Sequence, residues 1–322
     1  MFTTACLVTG LIAAGCASAG EGISIADGDG KLTVKVDGQL LTEYYFKDVP
    51  RPYFYPIIGP GGIAMTRNYP MKKVEGEDQD HPHHRSLWYA HGDVNGVDCW
   101  SELGKKGVGF GKTLHRKFLE KSAGKDCGVI RTENEWVGPD GKVLCADERT
   151  MRIHPLPGGE WMLDFEITFK ATQGELKLGD TKEGSMSIRL PATMSVKSRV
   201  MKEKAQGHII NSEGQRDADA WGKRAKWCDY YGPVEGKVLG VAIFDCPKNP
   251  RHPTWWHVRD YGLFAVNPFG IHDFEKGKPK GTGDMIIPAG KSQTFRYRFV
   301  FHKGDEKEGK VAERYEQYAA GH

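Results

Sequence analysis

Apolar and polar residues alternate with a period of two along most of this chain. Leu32, Val34 and Val36 do so near the start, and Trp161, Leu163, Phe165, Ile167 and Phe169 do so mid-chain, the pattern of strands with one buried face. Turn sequences separate such runs: Asp27-Gly28-Asp29-Gly30, Asp37-Gly38, Pro139-Asp140-Gly141, Pro157-Gly158-Gly159 and Glu235-Gly236, which suit antiparallel hairpins. The spacing predicts a meander over 129–171, strands at 226–231 and 238–244, and two short strands within 176–190 flanking a charged turn at 179–184. A closing hairpin is expected over 284–302. Residues 202–221 are polar with little periodicity and read as a long surface loop. Only the last segment repeats at helical spacing, through Val311, Ala312, Tyr315 and Tyr318 behind an Asp305/Glu308 capping box, so one helix should pack on the outside of a sheet. The fold class expected is all-β, a large antiparallel β-sandwich with a C-terminal helix, as one domain over residues 20–322. No internal repeat points to a propeller.

Composition narrows the function classes. The 322 residues are 39% hydrophobic and 27% charged, enough for a substantial core and unlike a disordered chain. Lys and Arg number 45 against 42 Asp and Glu, and the basic residues are scattered singly, so there is no footprint for nucleic acid. The apolar run at 5–14 is too short to span a bilayer, and Ala17-Ser18-Ala19 before Gly20 fits a signal-peptide cleavage site, although residues 1–4 carry no Lys or Arg. Residues 1–19 are therefore expected to direct the protein to the periplasm or beyond, with lipoprotein processing at Cys16 as the alternative. No later segment is apolar enough to span a membrane. Of the five remaining cysteines, Cys99, Cys127, Cys145, Cys228 and Cys246, an odd number leaves at least one free. None has C-x-x-C spacing, so buried unpaired thiols are expected.

The candidate chemistry is concentrated in residues 80–96, which hold four of the 12 histidines. Pro82 disfavours the helical region for His81, so the stretch is expected to be extended. His81, His83, Arg85, Tyr89 and His91 then share one face, and His84, Ser86 and Trp88 the other. At roughly 3.3 Å per residue, His81 and His83 lie about 7 Å apart and serve one site. His91, about 33 Å away on a straight strand, joins them only if the strand bends. Imidazoles that titrate near neutrality beside Arg85 suit acid/base work or a divalent metal held by His81 and His83. No H-E-x-x-H or facial-triad spacing occurs, so a third ligand would come from elsewhere. Hydrogen bonding of partly exposed histidines to Asp80 is the structural alternative.

Two further constellations stand out. His257 and Arg259 follow the adjacent aromatic residues Trp255 and Trp256; flat rings suit sugar faces, and Arg holds a carboxylate or polarises an oxygen. One tryptophan of the pair must face away from the core on a regular strand. In the charged turn, Lys182 lies beside Glu183, a general acid or base for work opposite a histidine. Tyr53, Trp88, Asn95, Trp221, Lys223 and Asn267 complete the candidate substrate contacts.

The strings Arg51-Pro52-Tyr53, Thr66-Arg67-Asn68-Tyr69-Pro70, residues 80–95, residues 179–184, Trp221-Gly222-Lys223-Arg224-Ala225 and Asn267-Pro268-Phe269-Gly270 resemble the exported PmoA-like family common in Planctomycetes and Bacteroidetes. The resemblance implies a fold similar to the large sandwiches of sugar mutarotases and polysaccharide lyases, and a genomic setting near sugar oxidoreductases and carbohydrate-degrading functions. The family's name is borrowed from a methane oxygenase subunit. The expected function is an exported enzyme acting on a carbohydrate or oxidised sugar by elimination, epimerisation or hydrolysis, with a histidine moving a proton and Arg85 or Arg259 stabilising an oxyanion. The alternatives are a non-catalytic glycan-binding sandwich and a metal-dependent oxygenase-like protein.

Overall fold

In the computed structural model, which describes residues 22–104 and 109–322, the chain is built from two large antiparallel sheets. The expected signal segment and Cys16, together with residues 105–108, lie outside the described residues. The first sheet has nine strands in the order Ile23–Gly28, Lys31–Val36, Gln39–Tyr45, Tyr53–Ile57, Leu87–His91, Gly184–Arg189, Leu263–Asn267, Thr254–Val258 and Arg224–Ala225. The second has eight: His208–Asn211, Trp227–Val234, Lys237–Asp245, Ser292–Lys303, Trp161–Lys170, Val143–Pro155, Gly128–Val137 and Lys112–Ala123. A separate two-stranded ribbon of Leu176–Leu178 and Met285–Ile287 packs Leu176, Leu178 and Ile287 into the same core.

Alternation gives the sandwich its core. Trp161, Leu163, Phe165, Ile167 and Phe169 are all buried while the residues between them are half-buried, and they join Leu87, Tyr89, Met186, Ile188, Phe264, Val266 and Trp256 of the other sheet in one apolar cluster. On the far side of the eight-stranded sheet, the helix Val311–Ala320 packs Val311, Tyr315 and Tyr318 against Ala242, Phe244 and Val300, as its spacing predicts. The five described cysteines are unpaired.

Three local expectations are corrected. Residues 284–302 are not a hairpin. The Gly290 amide bonds the carbonyl of Ala171 at 2.9 Å, so Met285–Ile287 turns to the ribbon while Ser292–Lys303 enters the eight-stranded sheet. The 202–221 segment contains the strand His208–Asn211, held by its buried Ile209 and by Asp217 Oδ1 accepting the Ile209 amide at 2.9 Å. Asp305 accepts the amides of Lys307 and Glu308, so it closes the turn before the helix, which starts only at Val311.

Candidate functional site

The outer face of the nine-stranded sheet carries the chemistry. Leu87 and Tyr89 point into the core, so Trp88 and Ala90 point out and pack with Tyr53, Trp100 and Leu263. In register across the sheet, Trp88 faces Ser187, Ser187 faces Ala265, and Ala265 faces His257. Directly opposed residues share a face. Two small side chains between an indole and an imidazole make a trough in the sheet face, its four residues themselves covered by neighbouring side chains.

The histidine stretch forms one wall, though not as an extended strand. His81 has φ of 44° and Ser86 φ of 57°, and regular pairing begins only at Leu87. The His81 carbonyl accepts the His84 amide at 3.0 Å and Arg67 Nη2 at 3.0 Å, which holds a turn where proline alone implied extension. His81, His83 and His84 consequently gather on one side, with ring centroids 4.5 to 5.7 Å apart. Tyr89 is in the core, and His91 lies behind the trough, its Nε2 donating to the Gly179 carbonyl at 3.0 Å and its ring against Phe269.

Electrostatics separates the three. His83 is 8% exposed and His84 1%. Burial, reinforced by Arg51 for His83 and Arg189 for His84, pushes His83 down to about 3 and His84 well below its ordinary value. Arg189 Nη1 donates to His84 Nδ1 at 2.9 Å. Because guanidinium only donates, His84 carries its proton on Nε2. His81 is different: its side chain is 40% exposed, and its Nδ1 lies 2.8 Å from Asp80 Oδ2. Asp80 is in turn clasped by Arg67 and by Arg189 Nη2, the latter at 3.1 Å. Burial opposes ionisation of Asp80, but His81, Arg189 and Arg67 together hold its carboxyl far below the usual carboxylate range. The result is an ionised carboxylate orienting a histidine whose Nε2 is left for a ligand. Tyr261 stacks on the same imidazole, 5.3 Å between centroids and 8° from parallel.

Opposite it stand residues from three other segments. Glu183 closes the charged turn with its side chain 42% exposed. Its carboxyl is raised by burial, with Lys182 opposing and Asp98 and Asp273 reinforcing. His257 accepts the Trp221 indole N–H on Nδ1 at 3.1 Å, and burial with the nearby Arg259 charge drives it down to about 3. The charge of His81 reaches both Glu183 and His257, and that of Glu183 reaches Tyr261. These four groups are therefore linked electrostatically. A cleft of 380 Å³ beside His81 is lined by Asp80, His81, Arg259 and Tyr261 together with residues 197–199.

Other candidates are occupied elsewhere. Arg85 forms a two-pronged pair with Glu102, at 2.7 and 2.6 Å, over the Tyr53 ring. Trp255 faces outward as alternation requires, but Glu275 takes its N–H and Arg224 covers its ring. Trp256 is fully buried in the core, which removes it as a ligand contact. Asn95 is exposed and pins the Lys177 amide at 2.7 Å, and Lys223 is exposed with its carbonyl bonded to Trp256. Lys182 stands 3.9 Å from Glu183 and 4.0 Å from Asp273. The donor set does not fit a divalent metal: His81 Nδ1 is committed to Asp80, and among the described residues no three His, Cys, Asp or Glu side chains are placed to hold one.

Asn267 acts indirectly. Its Nδ2 donates to the carbonyls of Thr181 and Lys182, both at 2.9 Å, and its Oδ1 accepts the amides of Phe269 and Gly270. It thereby sets the turn that presents Glu183, and Gly270 lies so close that a Cβ there would stand 2.8 Å from the Thr181 carbonyl. Replacing Asn267 with Ala is expected to raise amide hydrogen exchange across 180–184 and to cost about 1–3 kcal/mol, since buried carbonyls lose their donor. Unchanged exchange in that segment would show that the clamp is idle. Sequence reasoning missed Arg67, Arg189 and Tyr261 as parts of this site. Arg67 sits within a family string; the other two had no local signal.

A family model matches residues 31–316, most of the chain. The chain belongs to DUF6807, a family of unknown function. A search of curated protein sequences gives no match. Among solved structures, a galactose mutarotase related enzyme from Lactobacillus acidophilus superposes with TM-score 0.36 and 10% identity, over 87% of this chain and 97% of that one. A polysaccharide lyase does so with TM-score 0.31 and 13% identity over 92% of this chain. This DUF6807 chain spans about a third of the lyase, 34% of its length.

Proposed function

We propose that this DUF6807 protein is an exported carbohydrate-active enzyme whose outer-face trough carries out acid/base chemistry on a sugar. The observation that carries the reading is the Asp80-oriented His81, half-exposed at the cleft it shares with Arg259 and Tyr261, with the raised carboxyl of Glu183 within reach of its charge. One group removes a proton from a carbon beside a carbonyl while the other delivers a proton, either to the opposite face of that carbon or to a departing oxygen. A carboxyl held above its usual range keeps its proton to higher pH and so is more often in the form that can donate, and an imidazole fixed at Nδ1 by a carboxylate presents Nε2 as the base. Tyr261 and Trp221 supply ring faces, and His257, with Nδ1 occupied by the indole, keeps Nε2–H as a donor to a hydroxyl. Export rests on the apolar run at 5–14 and Ala17-Ser18-Ala19.

The test is a panel of neutral and oxidised sugars screened for elimination, epimerisation and hydrolysis by NMR, with the wild type and two variants. His81→Ala and Glu183→Gln are each expected to lower kcat by roughly 10²–10⁴-fold with little change in melting temperature, because both side chains are partly exposed. Turnover that survives both substitutions would overturn the assignment. Sugar binding without turnover by the wild type would favour the glycan-binding alternative.

A further inference from the structure

Nearly every guanidinium around the trough is already spent. Arg67 and Arg189 hold Asp80, Arg85 holds Glu102, and Arg51 stands 3.8 Å from Glu102. Arg259 differs. Among the described residues its side chain has neither an ion pair nor a hydrogen bond; it is held only by ring faces, 5.7 Å over Trp221 and 5.5 Å over Tyr261. It stands at the mouth of the hairpin joining Thr254–Val258 to Leu263–Asn267, where its own amide bonds the Leu263 carbonyl at 2.7 Å. Aromatic support of this kind fixes the plane of a guanidinium while leaving its edge of donors open.

The surrounding charges strengthen the point. In the 380 Å³ cleft, Asp80 is clasped by two arginines and His81, Asp260 lies 3.5 Å from Lys197, and Asp78 accepts the Ser198 hydroxyl. Those anions are engaged, whereas Arg259 and the exposed Arg199 have no carboxylate partner among the described residues. The open edge of Arg259 borders the cleft beside His81 and Tyr261.

We infer that Arg259 is the anchor for a carboxylate, and that the sugar processed here is a sugar acid of the uronate type. This rests on the carbohydrate reading above and names its substrate class. A carboxylate matches the guanidinium fork through two parallel N–H···O bonds. It also brings the carbon next to the carboxylate, whose C–H is the acidic one, into the cleft that Arg259 shares with His81 and Tyr261.

The experiment is calorimetric titration of the full protein with D-glucuronate, its neutral amide D-glucuronamide and D-glucose, repeated with Arg259→Gln. Glucuronate is expected to bind at least about tenfold more tightly than either neutral sugar, and Arg259→Gln to abolish that margin while leaving the neutral sugars as they were, a change of about 1.4 kcal/mol. The comparison of acid with amide uses unaltered protein, so it stands even if the variant fails to fold. Equal binding of glucuronate and glucuronamide overturns the carboxylate inference and leaves the carbohydrate reading intact. Binding of none of the three overturns the carbohydrate reading and this inference with it.

Discussion

Replacing Asp80 with Ala is expected to lower unfolding free energy by about 3–5 kcal/mol, the cost of leaving a buried charge without its partner. Arg189 is 1% exposed and, among the described residues, its carboxylate contact is Asp80 at 3.1 Å; burial and the neighbouring Arg67 already pull it down to about 10. Arg67 keeps the carbonyls of Tyr69, Asp78 and His81, but Arg189 would retain His84 and the Tyr261 ring face, neither of them charged. Two guanidiniums would then face each other with no anion between them. Adding Arg189→Met should recover much of the loss, because an apolar side chain of similar length removes the stranded charge. The measurement is urea unfolding of the wild type, both single variants and the double variant. A loss below about 1 kcal/mol for Asp80→Ala, or no recovery in the double variant, would mean that the pair behaves as a surface ion pair. Activity should fall in Asp80→Ala and stay low in the double variant, since neither restores the hold on His81 Nδ1.

The second large effect is loss of stability in mild acid. His83, His91 and His257 are each pushed down to about 3 and His84 well below its ordinary value, in every case chiefly by burial. In the unfolded chain each regains a value near 6.5. Above pH 6.5 both states are neutral at these sites and nothing is lost. As pH falls from 6.5 toward 3, the unfolded chain takes up protons that the folded one refuses, so stability falls. Each histidine contributes a slope of up to about 1.4 kcal/mol per pH unit, and four together up to about 5.5 kcal/mol per pH unit, against a typical net stability of about 5–15 kcal/mol.

One buried histidine works the other way. His302 donates from Nε2 to Asp229 at 3.0 Å with both side chains fully buried, and it is raised by Asp229 against the burial cost. Its contribution is complete below 6.5 and is lost as pH rises through its folded value. It therefore acts above 6.5 and leaves the acid slope of the other four unchanged. Urea midpoints measured from pH 8 to pH 4 should fall steeply below 6.5, and His91→Phe should flatten the slope by about one proton. Midpoints that stay level from pH 7 to pH 5 would contradict the neutral state of these four side chains.

Much of the fold was legible because its signals are local. The alternation of Trp161 through Phe169 fixed one buried face without reference to any other segment, and the turn at Glu235-Gly236 joined two strands that pair as expected. The expected hairpin over 284–302 failed for a reason no window could contain, namely the bond between Gly290 and Ala171. The site was legible only in outline. Residue content marked the histidine stretch and the 179–184 turn, but content does not say which imidazole is open to solvent. His81 and His83 look alike in sequence; in the fold one is oriented by Asp80 and half-exposed, and the other is buried and neutral.

By itself, the sequence determined the strands, their inward faces, the terminal helix and the places where ionisable side chains are dense, because periodicity and turn chemistry act over a few residues. Only the tertiary structure decided which of those side chains share a space. Asp80 meets an arginine 109 residues away, and Asn267 grips a turn 86 residues away. Such contacts form because sheet register, set by core packing along whole strands, brings distant segments side by side, and the charge, exposure and protonation of each group follow from that neighbourhood.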